Sequence, residues 1–187
     1  MSVLILVEHD NQEVKSSTLN TVTAARQLGD DLHGLVIGNG CAEVAAAAAR
    51  IDGIDKVYLV DSAEFEHGLV ENSAIVVADF AGSYTHVLAP ASTFGKNLMP
   101  RVAVMLDVQQ ISDISSILSE DTFIRPIYAG NALAKVQSSD SIKLITVRTT
   151  TFDAAAVNGP DAPVETLDSS ANAGLSEFLK HDLTRTE

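Results

Sequence analysis

The chain has 187 residues, of which 46% are hydrophobic and 20% are charged. This length and composition are typical of one globular domain and exclude extensive disorder. Aspartate and glutamate outnumber lysine and arginine by 25 to 12, which gives a formal net charge of −13. A field of this sign repels phosphate backbones and anionic lipids, so we expect no nucleic-acid partner and no direct membrane binding.

The first half of the chain alternates continuous apolar runs with helical apolar periodicity. The apolar runs predict strands at 3–7, 32–37, 56–60 and 86–89. The periodicity predicts helices over 16–29, 43–50 and 70–81 and a fourth helix across 98–106. Pro100 lies inside the fourth helix, which therefore either begins only a turn earlier or is kinked. Four strand–helix units in series predict an α/β fold, a three-layer Rossmann-like domain with a mainly parallel sheet and helices on both faces.

The second half has shorter apolar runs, at 111–118, 123–128, 132–136 and 142–147. Because the gaps between them are too short for helices, we expect adjacent strands to be antiparallel here. Ala129-Gly130-Asn131 is a predicted turn, and Pro126 predicts an edge strand or a bulge because it donates no ladder hydrogen bond. We expect a scaffold domain at 1–157, followed at 158–187 by a linker and a short amphipathic helix.

Cysteine and histidine usage argues against a disulfide or a metal site. The single cysteine, Cys41, cannot form an internal disulfide, and we interpret it as a small buried side chain. The five histidines are scattered, and no two have the spacing of a helical metal site. The start of the chain lacks the basic segment of a secretory signal. We therefore expect a reducing compartment, and we identify no catalytic, cofactor-binding or metal-binding residue.

Two glycine-containing loops follow predicted strands, where α/β proteins bind phosphates. Gly38-Asn39-Gly40 lacks the third glycine of a dinucleotide fingerprint, because residue 43 is glutamate. Gly95-Lys96 has phosphate-loop spacing, but Pro90 stands at the first glycine position and Asn97 at the position of the hydroxyl that binds Mg²⁺. We expect neither motif to bind a nucleoside triphosphate or a dinucleotide. A weaker anion or adenylate site at the start of the fourth helix stays open.

Three stretches together resemble one family, the alpha subunits of electron-transfer flavoproteins. They are HVLAPASTFGKNLMPR at 86–101 with ISDI at 111–114, RPIYAGNALA at 125–134, and VRTTTFDAA at 147–155. The opening run VLILVEH fits the same pattern, so the resemblance extends in order over nearly the whole chain. It implies the N-terminal domain of such a subunit, with a fold similar to that of the beta subunit.

In this family a second, C-terminal domain holds most of the FAD, and residues 1–187 contain no counterpart of its flavin-contacting segments. The resemblance therefore implies a scaffold and subunit-interface domain that binds no FAD by itself and transforms no substrate. We expect residues 158–187 to lead to an FAD-binding domain that is absent from this chain. The whole protein would carry electrons from flavoprotein dehydrogenases, such as acyl-CoA dehydrogenases, to a membrane quinone oxidoreductase.

The resemblance also implies partners, a location and a set of interface positions. It implies a heterodimer with an electron-transfer flavoprotein beta subunit, in the bacterial cytoplasm or, for a processed eukaryotic protein, in the mitochondrial matrix. We expect the isolated chain to expose apolar patches and to form a homodimer. The positions expected to shape loops or subunit contacts are Gly95, Lys96, Asn97, Arg101, Asp113, Arg125, Gly130 and Asn131. Arg125 is expected to pair with Asp113, with Asp107 or with a partner chain.

The alternative hypothesis is a self-contained adenine-nucleotide-binding domain, similar to the universal-stress folds. The strand–loop–helix units that contain Gly38-Asn39-Gly40 and Gly95-Lys96 motivate it. Titration with AMP and ATP distinguishes this hypothesis from the scaffold hypothesis.

Overall fold

The computed structural model describes residues 2–180 and 182, which contain ten strands and four α-helices. The first half contains β1 (Ser2–Leu6), α1 (Ser16–Ala25), β2 (Asp31–Gly38), α2 (Ala42–Ala48), β3 (Lys56–Asp61), α3 (Val70–Ala81), β4 (His86–Pro90) and α4 (Thr93–Leu106). The second half contains β5 (Gln110–Ile114), β6 (Ser116–Ser119), β7 (Thr122–Ile127), β8 (Ala132–Gln137), β9 (Lys143–Val147) and β10 (Val164–Thr166). All the strands and helices predicted for the first half are therefore present.

Seven strands form the main sheet in the order β10-β3-β2-β1-β4-β9-β5, and every neighbouring pair is parallel. Helices α1 and α2 cover one face of this sheet, and α3 and α4 cover the other. In β1, Val3 and Ile5 belong to the apolar cluster on the first face, whereas Leu4 and Leu6 belong to the cluster on the second. A strand buried on both faces needs such an unbroken apolar run. The predicted three-layer α/β architecture is confirmed.

The second half differs from the expected series of antiparallel strands. The predicted run at 111–118 divides at Ser115 into β5, which belongs to the main sheet, and β6. Strands β6, β7 and β8 form a separate antiparallel sheet, as expected, and we call them the meander. Strand β9 then returns to the main sheet and lies parallel between β4 and β5. The meander thus takes the place of the helix that usually connects parallel strands, which is why gap length alone misassigned β5 and β9.

Two prolines lie inside regular elements without breaking them. Helix α4 runs through Pro100 and begins about two turns before it, rather than one. Because proline has no N–H group, Pro100 cannot donate a helical hydrogen bond to the Lys96 carbonyl. Lys96 is exposed to solvent. Pro126 lies in β7, the central strand of the meander, but β6 pairs only with residues 122–124. At Pro126, β7 therefore has no paired strand on the β6 side. The edge that Pro126 predicts exists at this position, although β7 is the central strand of the meander.

Residues 152–178, which we call the strap, pack against both faces of the main sheet. On the first face, Ala155 N donates to Leu19 O (3.1 Å) and Ala162 N donates to Ala49 O (2.9 Å). The strap then adds β10 beside β3 at the edge of the sheet and continues over α3. No helix occurs between residues 158 and 180. The described residues from 158 to 178 pack as a strap, whereas residues 181 and 183–187 of the expected helix lie outside the described residues. The expected boundary at residue 157 stays a prediction.

Asn72 of α3 anchors the far end of the strap. Its side chain is buried, its Oδ1 accepts a hydrogen bond from Ala173 N (2.9 Å), and its Nδ2 donates to Glu64 O (3.2 Å). Ala171 is buried nearby in the second apolar cluster. The strap therefore contacts both faces of the main sheet.

His86 connects the meander to the main sheet. Its ring is buried, Nε2 lies 2.7 Å from Glu120 O in the β6–β7 turn, and Nδ1 lies 2.9 Å from the Thr85 hydroxyl. Burial lowers the pKa of His86 below its usual value, although the Glu120 carbonyl opposes this change. Burial also lowers the pKa of His9, at the end of β1. The folded protein therefore favours the neutral form of both imidazoles.

We predict that Asn72→Ala destabilises the protein by about 1–3 kcal/mol, because it leaves the Ala173 N–H and the Glu64 carbonyl without their partner. Urea unfolding measures the loss, and limited proteolysis should show new cleavage within residues 167–178. Asn158→Ala, at an exposed position of the same strap, should change stability by less than about 0.5 kcal/mol. Equal effects of the two substitutions would contradict an anchoring role for Asn72.

We predict that the free energy of unfolding falls as the pH is lowered through 6.5, the usual pKa of histidine. The unfolded chain then binds protons at His9 and His86 that the folded protein excludes, so this stability is complete above pH 6.5 and is lost below it. Urea unfolding at several pH values measures how steeply the free energy of unfolding changes with pH. This slope should be smaller in His86→Gln and smaller again when His9→Gln is added. Unchanged slopes in both variants would contradict the prediction.

Candidate functional site at the carboxyl edge of the sheet

The carboxyl ends of β1, β2, β3 and β4 meet at one edge of the main sheet, which we call the carboxyl edge. The strand order changes direction here, because β2 and β3 lie on one side of β1 and β4 lies on the other. Ligands of α/β proteins bind at such a point. A cleft of about 260 Å³ lies there, lined by residues that follow β1, β3 and β4.

The charge of this cleft does not suit a phosphate. The carboxylates of Asp10 and Glu66 line it, and no lysine or arginine appears among the described residues that do. Lys15 lies nearby, but it is paired with Asp10. Apolar side chains, including Phe65 and Phe94, supply much of the remaining lining. An anionic ligand would therefore face repulsion without a compensating cation.

His9 and Asn11 use their polar atoms within the protein. His9 Nδ1 accepts a hydrogen bond from Asn11 N (3.0 Å). The Asn11 side chain donates to Glu66 O (3.0 Å) and accepts from Asn39 N (3.3 Å). These bonds join the loops that follow β1, β2 and β3. His9 is therefore a structural polar group close to the end of β1.

The loop Gly38-Asn39-Gly40 is closed by a carboxylate of the protein itself. Asp61, the last residue of β3, accepts hydrogen bonds from Gly40 N (2.7 Å) and Cys41 N (3.1 Å). These N–H groups are the kind that a dinucleotide phosphate would need. Cys41 is fully buried, and burial together with Asp61 raises its pKa to about 11. The thiol is therefore an unreactive core group, as predicted.

In the second loop, which joins β4 to α4, the backbone at Gly95 packs closely against Pro90. A Cβ atom added to Gly95 would lie 2.0 Å from the Pro90 carbonyl oxygen, so only glycine fits between α4 and the end of β4. Lys96 and Asn97 are exposed on the first turns of α4 and do not line the cleft. Ser92 is the residue before the first turn of α4, but its side chain makes no capping hydrogen bond. Gly95 therefore shapes this loop.

Arg101 and Asp113 are held by ion pairs within the chain. Arg101 of α4 lies 2.7 Å from Glu71 of α3 and connects these two helices. Asp113 lies in a β-bulge of β5 with a φ of 57°, and its carboxylate accepts from Arg148 Nη2 (2.5 Å) and Nε (3.2 Å). This ion pair raises the pKa of Arg148. Of the three partners considered for Arg125, Asp113 pairs with Arg148 instead, because the bulge brings its carboxylate to the end of β9.

Arg125, Gly130 and Asn131 lie on the hairpin formed by β7 and β8. Gly130 has a φ of 91°, and Asn131 donates through N and Nδ2 to the Tyr128 carbonyl (3.1 and 3.0 Å), so both residues form the predicted turn. Arg125 Nε is buried and has no acceptor among the described residues. Neither of the carboxylates expected for Arg125 pairs with it.

The eight predicted positions do not converge on one site. Gly95, Lys96, Asn97 and Arg101 lie on α4, Asp113 lies in β5, and the other three lie on the hairpin. Sequence reasoning assigned no contact to Glu71 and Arg148, which pair with Arg101 and Asp113, or to Asp61, which binds the N–H groups of Gly40 and Cys41. Of these three, Asp61 had a signal in the sequence, because it is a carboxylate directly after a predicted strand. The described residues contain no group of three or more side chains suited to a metal ion. They also contain no helix long and apolar enough to cross a membrane.

Comparison with known proteins gives a consistent set of relatives. The family model described as "Electron transfer flavoprotein domain" matches residues 3–172. The electron transfer flavoprotein subunit alpha of Pseudomonas aeruginosa is 51% identical over 187 residues, which are 100% of this chain and 60% of the relative. The electron transfer flavoprotein subunit alpha of Bradyrhizobium diazoefficiens is 46% identical over 100% of this chain and 59% of the relative. The mitochondrial subunit alpha of Dictyostelium discoideum is 44% identical over 86% of this chain and 48% of the relative. This chain thus spans 60% or less of the length of these relatives.

We predict that Gly95→Ala destabilises the protein by about 3 kcal/mol or more, because the added methyl group would overlap the Pro90 carbonyl oxygen. The matched control is Gly82→Ala at the end of α3, where an added Cβ meets no atom within 4 Å. That substitution should be neutral or should stabilise the protein slightly. Urea unfolding measures both. A Gly95→Ala variant as stable as Gly82→Ala would show that the contact can relax.

Proposed function

Because this chain belongs to the electron transfer flavoprotein domain family, we propose that it forms the scaffold and subunit-interface domain of an electron-transfer flavoprotein alpha subunit. In this proposal it pairs with a beta subunit in a heterodimer. The observation that carries the proposal is the 51% identity over the whole chain to a subunit alpha of which the chain spans 60%.

FAD, in this proposal, is held by a part of the protein other than residues 1–187. FAD carries a pyrophosphate, and the loop after β2 and the neighbouring cleft do not fit one. Asp61 occupies the N–H groups at Gly40 and Cys41, and the cleft is lined by Asp10 and Glu66 with no lysine or arginine among its described lining residues. A nucleotide site there would need free N–H groups or a cation. The same observations argue against the alternative hypothesis of an adenine-nucleotide-binding domain.

A scaffold needs a stable interior and surfaces that partners can contact. The main sheet is covered on both faces, and the strap joins them. Several large apolar side chains are exposed to solvent, among them Val104, Tyr128 and Leu133, which are 82%, 80% and 69% exposed. Exposed apolar groups of this size favour contact with another protein.

The whole protein would carry electrons between the cofactors of other enzymes. It would accept them from flavoprotein dehydrogenases, such as acyl-CoA dehydrogenases, and deliver them to a membrane quinone oxidoreductase. This chain would transform no substrate, since the redox chemistry takes place on the flavin. We infer a bacterial cytoplasmic location, or the mitochondrial matrix for a eukaryotic protein. The occurrence of relatives in bacteria and mitochondria supports these two settings.

We predict that this chain and the beta subunit of the same organism form a one-to-one complex, measured by size-exclusion chromatography with light scattering. The chain alone should stay colourless after mixing with FAD and removal of the free cofactor. Stoichiometric flavin absorbance on the chain alone would overturn the proposed location of FAD. Micromolar binding of AMP or ATP, lost in Lys96→Ala but kept in the exposed control Lys180→Ala, would favour the adenine-nucleotide hypothesis.

A further inference from the structure

The β7–β8 hairpin, residues 122–137, differs in charge from the rest of the chain. Between residues 123 and 136 the sequence contains Arg125 and Lys135 and no aspartate or glutamate. The chain as a whole has a net charge of −13. A basic hairpin on an acidic protein is attracted to an acidic surface and is repelled by the same hairpin of a second copy.

Arg125 lacks an internal partner although part of its guanidinium is buried. Its Nε is inaccessible to solvent and has no hydrogen-bond acceptor among the described residues. Asp113, one of the carboxylates considered as its partner, is engaged by Arg148. An unpaired buried donor of a charged group is costly, and a carboxylate from outside the chain that pairs with the guanidinium would offset this cost.

The tip of the hairpin holds a tyrosine in a strained, outward position. Tyr128, Ala129 and Gly130 have φ values of 50°, 53° and 91°, and this left-handed region is unfavourable for tyrosine and alanine. Asn131 maintains the turn through two hydrogen bonds to the Tyr128 carbonyl. The Tyr128 side chain is 80% exposed and therefore gains little from burial within this chain. Strain of this kind is typical of sites that bind a partner.

The hairpin presents different groups on its two faces. Arg125 pairs across the strands with Ala134, and Pro126 pairs with Leu133, so Arg125 and Leu133 lie on opposite faces. Leu133 is 69% exposed. Tyr128 lies between the two faces, in the turn that joins the strands. A partner that contacts all three groups must therefore enclose the tip.

We propose that the tip of the β7–β8 hairpin inserts into an acidic cleft of the beta subunit, where a carboxylate accepts hydrogen bonds from Arg125 and apolar groups cover Tyr128 and Leu133. This inference rests on the proposed heterodimer and specifies its contact surface. Tyrosine and arginine are the residue types that most often dominate binding energy at interfaces. A second copy of this chain is the weaker occupant, because a symmetric dimer formed through this surface would bring two basic hairpins together.

The experiment measures the dissociation constant of the 187-residue chain and the beta subunit of the same organism by isothermal titration. We expect Arg125→Ala and Tyr128→Ala each to raise the Kd about tenfold or more, and Arg125→Glu to raise it further. The matched controls are Arg26→Ala, an exposed arginine of the α1 end that pairs with Asp52, and Leu179→Ala, an exposed leucine outside the hairpin. Both controls should stay within about twofold of the original Kd.

The salt dependence of binding separates an ionic contact from a general loss of structure. Added salt should weaken the original complex more than the Arg125→Ala complex, because the variant lacks the charge that salt screens. A complex whose Kd is unchanged by Arg125→Ala and Tyr128→Ala would overturn the inference and leave the proposed heterodimer standing. Failure of the original chain to bind the beta subunit would overturn the heterodimer itself. A homodimer that Leu133→Glu dissolves would assign the hairpin to a second copy instead.

Discussion

The burial of β1 on both faces is the constraint on which the rest of the structure depends. Leu4 and Leu6 point to one side of the sheet and Val3 and Ile5 to the other, and all four are almost completely shielded from solvent. Such a strand is stable only if helices cover both faces, so the chain must cross from one face to the other. The strap is a second crossing of this kind, and its β10 also covers the edge of β3 that would otherwise be unpaired.

The carboxyl edge shows how a nucleotide-type fold can be closed by its own groups. Asp61 takes the N–H groups that a phosphate would use, and the Pro90 carbonyl occupies the space beside Gly95. The remaining cleft carries Asp10 and Glu66. Asp61 thus stabilises the first loop and, together with the cleft carboxylates, makes the potential there unfavourable for a phosphate.

The elements of the first half were predictable because each strand and helix is marked by a local apolar pattern. The assignment of β5 and β9 was not, because their parallel pairing joins residues more than 30 positions apart. The same limit applies to single side chains. Asp113 was one of three partners considered for Arg125, but a bulge between Ile111 and Ile114 changes the register and brings Asp113 to Arg148. A bulge of one residue leaves no clear mark in hydrophobic periodicity.

The sequence by itself determined the α/β class, the acidic character, the absence of a recognisable nucleotide motif and the resemblance to electron-transfer flavoprotein alpha subunits. Only the tertiary structure decided that residues 152–178 are a packed strap, that Asp61 closes the first loop and that Arg125 Nε lacks an acceptor among the described residues. The reason is physical. These features depend on hydrogen bonds between residues distant in the chain, and strand order and register, rather than local periodicity, decide which distant groups meet.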